Sequence, residues 1–416
     1  MNENTSPLPL TPTVSSFAFA HQAILDQQRA VFGYELFDRS ALARGHTAAS
    51  DAQLLFNVLS DVGGDSPLGN KTIFINCTHD SLAGGHLDLI PPQRVVLEVP
   101  PLPITDVDQI TTRLPHLKDL QQRGFRLAFD YSVLTLPYAP WLALASFIKF
   151  DLSVIRPQSV GSFIKLAQAK STARLVAEKV ETPAQHALVS DLGVQLFQGY
   201  WFAQPVLERG HSVRPAQAVI LQLINLVRKQ ASTVEIEELL KRDPTLSFNL
   251  LRFINSAGFG MRSEVTTFKH AVMLLGLNRL FKWAALLLTT SQGGDVPPAV
   301  GTTAVARGRL MELLAAELLP PDACDNAFVV GVFSLLDTML GMNMDAALAT
   351  IALPDDVTQA LLTRTGPLAP FLELTLACET GDDQAFARSA TQLGLSDSQV
   401  NWAHVQSLAW AESIGV

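Results

Sequence analysis

The first half of the chain contains five short apolar runs, and each run ends in or near one polar residue. The runs occupy residues 71–76, 94–99, 125–130, 146–151 and 174–178. Continuous apolar runs of this length are typical of strands covered on both faces, as in a parallel sheet wrapped by helices. Because a (β/α)₈ barrel builds its site at the carboxyl ends of its strands, the pattern favours such a barrel. A doubly wound open sheet would give the same runs and stays an alternative.

The second half of the chain shows helical periodicity instead. Apolar residues recur at helical spacing from Gln217 to Arg228, and Ser232 and Glu235 form a capping box before another helix. This half is therefore expected to be an all-α bundle. We predict a flexible tail at 1–15, a barrel at 16–205 and an all-α domain at 206–416, with a core at about 215–291 and outer helices at 299–416.

Composition and charge exclude several classes of protein. Of the 416 residues, 48% are hydrophobic and 17% are charged, which indicates a folded globular chain. The net charge of −9 argues against a broad nucleic-acid or membrane surface. Three widely spaced cysteines form no metal-binding pattern. Neither an export signal nor an apolar run long enough to span a bilayer is evident, so we expect a cytoplasmic protein without membrane insertion.

Two phrases in the first half resemble a known family. Residues 33–39, Gly-Tyr-Glu-Leu-Phe-Asp-Arg, resemble the motif that names the EAL family of cyclic diguanylate phosphodiesterases. Residues 127–132, Leu-Ala-Phe-Asp-Tyr-Ser, resemble that family's metal-binding aspartate strand. The resemblance covers about residues 17–205 and implies an EAL-like TIM-type barrel.

The resemblance also implies a set of pocket residues at the barrel rim. The family's metal-binding, water-orienting and rim positions are matched by Glu35, Asn76, Glu98, Asp130, Lys149, Asp151, Glu178 and Gln198. A ligand phosphate would contact Arg39, and bound cyclic diguanylate would also involve Glu35, Asp130 and Gln198. Hard cations such as Mg²⁺ and Mn²⁺ take oxygen ligands of this kind.

Two departures from the family pattern bear on activity. Tyr131 stands where the family has a second aspartate, and a neutral phenol does not replace a carboxylate on a hard cation. Pro101 stands where a supporting glutamate is expected, and the following loop, residues 132–137, has no glycine. Since a two-metal phosphodiesterase depends on charge neutralisation, these departures predict little or no hydrolysis.

The second half resembles the HDOD family of helical output modules. The resemblance rests on residues 240–260 and on Ala-Val-Met-Leu-Leu-Gly at 271–276. No histidine in this half precedes an aspartate, so a metallohydrolase of the HD type is not expected. A partner groove is one interpretation of Phe253, Phe259, Met261 and Trp283, and core packing is the other.

The sequence therefore predicts a catalytically inactive cyclic diguanylate signalling protein that acts as an interaction scaffold in motility, attachment or biofilm pathways. A receptor that binds the dinucleotide without cutting it, or a weak residual phosphodiesterase, is an alternative. No catalytic residue, metal site or cofactor is expected, with Mg²⁺ or Mn²⁺ needed only if activity persists. The expected partners are other signalling proteins and not nucleic acid.

Overall fold

The fold is seen in a computed structural model. It describes residues 19–38, 71–84, 87–88, 90–103, 106–203, 215–241, 268–290, 297–380 and 382–414. The predicted tail at 1–15 and the predicted boundary at 205/206 lie outside the described residues, so these domain limits stay predictions.

Eight strands close into a barrel in sequence order. They are β1 (Phe19–Leu25), β2 (Val31–Asp38), β3 (Thr72–Asn76), β4 (Val95–Val99), β5 (Arg126–Asp130), β6 (Ala145–Asp151), β7 (Arg174–Glu178) and β8 (Leu196–Gln198). Strand β1 is antiparallel to both of its neighbours, whereas β2 to β8 run parallel. The predicted barrel is confirmed, and the open-sheet alternative is wrong because Ile24 of β1 pairs with Gln198 of β8.

Helices alternate with the strands in the barrel half. They are α1 (His79–Leu82), α2 (Val107–Gln122), α3 (Ala139–Leu142), α4 (Pro157–Lys170) and α5 (Pro183–Asp191). A 3₁₀ turn at Tyr131–Leu134 follows β5 directly. These helices cover the outer face of the parallel strands, which explains why those strands are apolar on both faces.

The described part of the second half consists of helices, as predicted. They are α6 (Pro215–Arg228), α7 (Thr233–Lys241), α8 (Phe268–Thr290), α9 (Pro298–Ala316), α10 (Pro321–Phe333), α11 (Leu336–Leu340), α12 (Met344–Ala349), α13 (Asp355–Leu362), α14 (Ala369–Thr380), α15 (Asp383–Leu393) and α16 (Asp397–Ile414). Among these described helices, none combines the length and apolar character required to cross a membrane.

Local details of this half bear on the sequence prediction. The capping box is confirmed, because Ser232 Oγ accepts the amide of Glu235 while the Glu235 carboxylate accepts the amide of Ser232. Helices α10 and α11 are separate, since α10 ends at Phe333 and α11 begins at Leu336. Helix α8 bends at Gly276, whose φ of 69° is not helical.

Two hydrophobic cores share the chain. A small one fills the barrel lumen and consists of Ile24, Phe74, Val96, Ala128, Phe147, Val176 and Leu196. The larger one continues from the layer outside the strands into the helical half. Because this one apolar core includes residues from both halves, buried packing fixes their relative position.

Polar contacts also join the two halves, mainly at β1 and β2. Tyr34 Oη donates to Glu412 of α16 at 3.1 Å, and the buried ring nitrogens of His21 and His404 meet across the same interface. Thr338 Oγ1 donates to the carbonyl of Ala203 at 2.8 Å. Desolvation, followed by the charge of Glu412, raises the pKa of Tyr34 well above its usual range.

A buried ion pair holds the helical half together. Arg307 of α9 donates from Nε and Nη2 to the two carboxylate oxygens of Glu379 of α14, at 2.8 and 2.7 Å. Ser334 accepts from Nη1 at 2.9 Å. Arg307 is 4% and Glu379 8% exposed, so removal of either partner would leave a desolvated charge.

We therefore expect Glu379→Ala to lower the free energy of unfolding by about 3–5 kcal/mol, the cost of breaking a buried ion pair from one side. The double variant Arg307→Met/Glu379→Leu should recover most of this loss, because it leaves no buried charge. Urea unfolding followed by circular dichroism measures both.

Arg123→Gln is the matched control, since Arg123 pairs with Asp88 and Asp119 at the surface. It should cost less than about 1 kcal/mol. A loss for Glu379→Ala no larger than that of the control would contradict the role given to the buried pair.

Candidate functional site

The carboxyl ends of the barrel strands bring most of the predicted pocket residues together. Strand β2 supplies Glu35, and the following strands supply Asn76, Glu98, Lys149, Glu178 and Gln198 in order. Direct hydrogen bonds or ion pairs link these six side chains. The rim is therefore one connected polar network that caps the apolar lumen.

Lys149 lies at the centre of this network. Its Nζ is 2.9 Å from Glu35 Oε2, 2.6 Å from both carboxylate oxygens of Glu98 and 2.7 Å from Glu178 Oε1. The lysine side chain is 5% exposed. One buried cation thus contacts three carboxylates that come from three different strands.

Amide side chains complete the contacts of Glu35. Asn76 Nδ2 donates to Glu35 Oε1 at 2.8 Å, and Gln198 Nε2 donates to Glu35 Oε2 at 2.7 Å. Gln198 Nε2 also donates to Gln22 Oε1 of β1 at 2.8 Å. The Gln198 Oε1 atom is buried and has no hydrogen-bond partner, so a ligand or water with a donor would satisfy it.

Two glycines allow the strands to approach closely beside this network. A Cβ at Gly33 would lie 2.2 Å from the carbonyl oxygen of Thr72 in β3. A Cβ at Gly199 would lie 2.1 Å from the carbonyl oxygen of Val180, and Gly199 has a φ of 146°. Both positions require glycine, and they hold Glu35 and Gln198 at the rim.

Asp130 and Tyr131 diverge after the end of β5. The Asp130 carboxylate caps the following 3₁₀ turn, accepting from the amide of Ser132 at 3.2 Å and from its hydroxyl. The Tyr131 ring packs against Phe163 of α4, with ring centroids 5.2 Å apart, and against the core outside the barrel. The phenol is thus engaged with a helix rather than with the carboxylate network.

Asp151 and Pro101 stand apart from the Lys149 network. Asp151 Oδ1 accepts from the amide of Ser153 at 2.8 Å and from its hydroxyl at 2.5 Å, which closes a local turn after β6. Pro101 is exposed in the segment after β4. Proline offers neither a carboxylate nor an amide donor at that position.

Burial and mutual repulsion control protonation in the network. Burial, with the charges of Glu35 and Glu178, raises the pKa of Glu98 to about 8, although Lys149 opposes the shift. Burial likewise raises the pKa of Glu178. Burial alone would lower the pKa of Lys149, but Glu35, Glu98 and Glu178 raise it well above its usual range. Desolvation also raises the pKa of Asp130. The network has a surplus of acidic groups that further positive charge would relieve.

The donor chemistry of the rim suits a hard divalent cation in part. Oxygen atoms are available on Glu35, Asn76, Glu98 and Asp130, and such donors are preferred by Mg²⁺ and Mn²⁺. Within the described residues, no group of three or more His, Cys, Asp or Glu side chains could hold a metal ion as arranged. The Lys149 ammonium group lies between the carboxylates, so a cation would need those side chains to move.

Four of the predicted residues cannot be placed, and a fifth is buried. Arg39, Phe253, Phe259 and Met261 lie outside the described residues. Trp283 lies on α8 and is 2% exposed in the hydrophobic core, so its interpretation as part of an open partner groove is wrong. Gln22 was not among the predicted site residues; its position in β1, opposite Glu35 in the pairing of β1 with β2, is the signal that identifies it.

Comparison with protein families finds one match in each half of the chain. The EAL domain family matches residues 78–205, and the HDOD domain family matches residues 214–344. The EAL match includes the site residues from Glu98 to Gln198, while Glu35 and Asn76 precede it.

Two proteins resemble this chain over nearly its full length. Cyclic di-GMP phosphodiesterase CdgJ of Vibrio cholerae is 27% identical, covering 98% of this chain and 95% of CdgJ. Uncharacterized protein YuxH of Bacillus subtilis is 25% identical, covering 95% of this chain and 98% of YuxH.

Two solved structures are similar to part of this chain. The PaMucR phosphodiesterase in complex with c-di-GMP is 20% identical and covers 44% of this chain and 94% of that chain, with a TM-score of 0.37. A standalone EAL protein from Vibrio cholerae is 22% identical and covers 46% of this chain and 92% of that chain, with a TM-score of 0.36. The chain therefore contains one region that matches the EAL domain family and one that matches the HDOD domain family, and it is similar to CdgJ and YuxH along nearly its full length.

Proposed function

We propose that this protein acts in cyclic di-GMP signalling without hydrolysing the dinucleotide, and that it regulates other proteins by binding them. The signalling assignment is supported by the EAL domain match and by the similarity to CdgJ, a protein named as a cyclic di-GMP phosphodiesterase. The loss of hydrolysis rests on one observation, the position of Tyr131. Two-metal hydrolysis would require an acidic ligand at position 131, but the Tyr131 side chain is a phenol whose ring packs on Phe163.

The chemistry explains why this position matters. When bound, divalent cations supply charge neutralisation for the phosphate group that is cut. Glu35, Asn76, Glu98 and Asp130 could hold one such ion only if their side chains moved away from Lys149, and the phenol of Tyr131 is not a ligand for a second. With one cation at most, the rim could bind a phosphate through that cation but would lack much of the positive charge that cleavage requires.

A hydrolysis assay tests this proposal directly. We expect the full chain to release no linear dinucleotide from cyclic di-GMP in buffer with Mg²⁺ or Mn²⁺. Liquid chromatography of the reaction mixture measures the product. Tyr131→Asp should raise product release to at least about 10²-fold above the background of the assay, the scale of one transition-state electrostatic contact. Tyr131→Phe is the matched control, because it keeps the ring contact with Phe163 and adds no carboxylate.

Turnover by the unmodified chain that disappears in Glu35→Gln would contradict the proposal. It would establish the second candidate function, a residual phosphodiesterase. That candidate is favoured by the intact contacts of Lys149 with Glu35, Glu98 and Glu178 and by the name of CdgJ.

A non-hydrolysing receptor is a further candidate, favoured by the buried, unpaired Oε1 atom of Gln198. Cyclic di-GMP bases and sugars carry donors that could satisfy this atom. On this candidate, calorimetry in Mg²⁺ should detect binding, and Gln198→Met should weaken it about tenfold, equivalent to about 1.4 kcal/mol. Heat signals that are identical for parent and variant would exclude it.

Glu98 gives the site a measurable pH dependence. In the folded state the Glu98 carboxyl keeps its proton up to about pH 8, whereas in the unfolded chain the same carboxyl ionises near its ordinary pKa of 4.5. Between these values the folded state binds more protons, so rising pH removes stability. We expect thermal stability to fall from pH 6.5 to 8.5 in the parent and to fall less in Glu98→Gln.

The comparison between parent and variant reports on this carboxyl and its partners in the Lys149 network, since titrations elsewhere in the protein are common to both. Burial lowers the pKa of His186 to about 4, so its contribution lies below this pH range. Circular dichroism melts at each pH provide the measurement. Parallel pH profiles for parent and Glu98→Gln would contradict the raised pKa of Glu98.

A further inference from the structure

The barrel lumen has a third layer below its apolar core, at the amino ends of the strands. Side chains alternate with a period of two along a strand, so the residue two positions before each lumen residue also faces inward. The lumen residues Ala128 and Val176 are preceded in this way by Arg126 and Arg174, while Arg94 ends the 3₁₀ turn Pro92–Arg94 directly before β4. All three arginines thus lie at the amino ends of their strands, opposite to the Lys149 network.

Contacts with lumen phenylalanines confirm the position of two of these arginines. The Arg126 guanidinium carbon lies 5.8 Å from the ring centre of Phe147, and that of Arg174 lies 4.4 Å from the ring centre of Phe32. The two phenylalanine rings are themselves 6.3 Å apart. Arg126 and Arg174 therefore lie over the same aromatic floor.

The three guanidinium groups have few acceptors. Arg126 Nη2 donates to the carbonyl of Gln93 at 3.0 Å and contacts Thr72 Oγ1 at 3.4 Å. The Nε atom of Arg126 and the Nε and Nη2 atoms of Arg94 are buried without a hydrogen-bond partner. Across the described part of the chain, these arginines make no ion pair with a carboxylate.

In the part of the chain that the structure describes, the nearby acidic and basic groups have other partners. Asp26 is close enough to raise the pKa of Arg174, but its Oδ1 accepts the amides of Gln28 and Ala30. Lys71 donates to the carbonyl of Val31 and pairs with Glu412 of α16 at 3.6 Å. Among the described residues, three arginines face one acidic group that forms no ion pair, Asp26, so positive charge exceeds negative charge at this mouth.

This arrangement is costly without a ligand. Buried N–H groups that lack an acceptor cost free energy, and like charges in a shared site repel each other. Burial lowers the pKa values of all three arginines, and the charge of Arg174 lowers that of Arg126 further. Residues at this end of a TIM-type barrel usually serve stability, which unpaired arginines do not.

We propose that the amino-terminal mouth of the barrel is an oxyanion site in which Arg94, Arg126 and Arg174 bind a phosphate group. Guanidinium groups match phosphate oxygens with paired N–H donors, and several of them can share one phosphate. The phosphate can be free or part of a phosphate monoester, since the same three side chains meet either. The apolar lumen layer separates this site from the Glu35 and Lys149 network.

Titration of the full chain with inorganic phosphate tests the proposal, in buffer with a chelator so that no divalent cation takes part. We expect the ³¹P signal of phosphate to broaden and the melting temperature to rise, relative to chloride at the same ionic strength. Adenosine monophosphate forms a second arm, and tighter binding of this monoester than of inorganic phosphate would identify an esterified ligand.

Arg126→Gln/Arg174→Gln should weaken phosphate binding by about tenfold or more. Arg388→Gln, an exposed arginine of α15, is the matched control and should leave binding unchanged. If the double variant does not fold, Arg94→Gln replaces it. No broadening and no thermal shift with the unmodified chain, or equal effects in parent and folded variant, would overturn the proposal.

Discussion

The contact of one buried lysine with three glutamates is the constraint on which the rest of the barrel rim depends. Lys149 joins β6 to β2, β4 and β7 through Glu35, Glu98 and Glu178. Three desolvated carboxyl groups repel one another when ionised, and both the Lys149 ammonium and the proton that Glu98 holds up to about pH 8 reduce this repulsion. The lysine therefore stabilises an acidic pocket in the folded protein. Because one lysine faces three glutamates, acidic groups still outnumber basic ones there.

Strands β1 and β2 connect this pocket to the last helix of the chain. On their inner face, Gln22 and Glu35 belong to the Lys149 network. On their outer face, the neighbouring residues His21 and Tyr34 contact His404 and Glu412 of α16. The alternation of side chains thus makes the same two strands a wall of the pocket and a docking face for the helical half.

The lumen is organised in layers of different chemistry. Glutamates and a lysine lie at the carboxyl ends of the strands, apolar side chains fill the middle, and arginines lie at the amino ends. An alternation such as Arg126-Leu127-Ala128 could have predicted the basic layer, because the barrel makes every second residue face inward. Sequence reasoning considered only the strand ends that carry the polar rim.

The sequence by itself determined the strand runs of the first half and the helical second half, because strand length and apolar pattern are local properties. Motif order, through the resemblance to the EAL family, indicated the barrel and the rim residues Glu35 to Gln198. The sequence could not determine that Lys149 would lie among three glutamates, that Tyr131 would turn onto Phe163, or that Trp283 would be buried. Those outcomes depend on how distant segments meet, and aromatic side chains at helical spacing look alike in a core and at a surface. The antiparallel β1 and its contacts with α16 likewise follow from closure of the barrel and from packing between residues almost 400 positions apart.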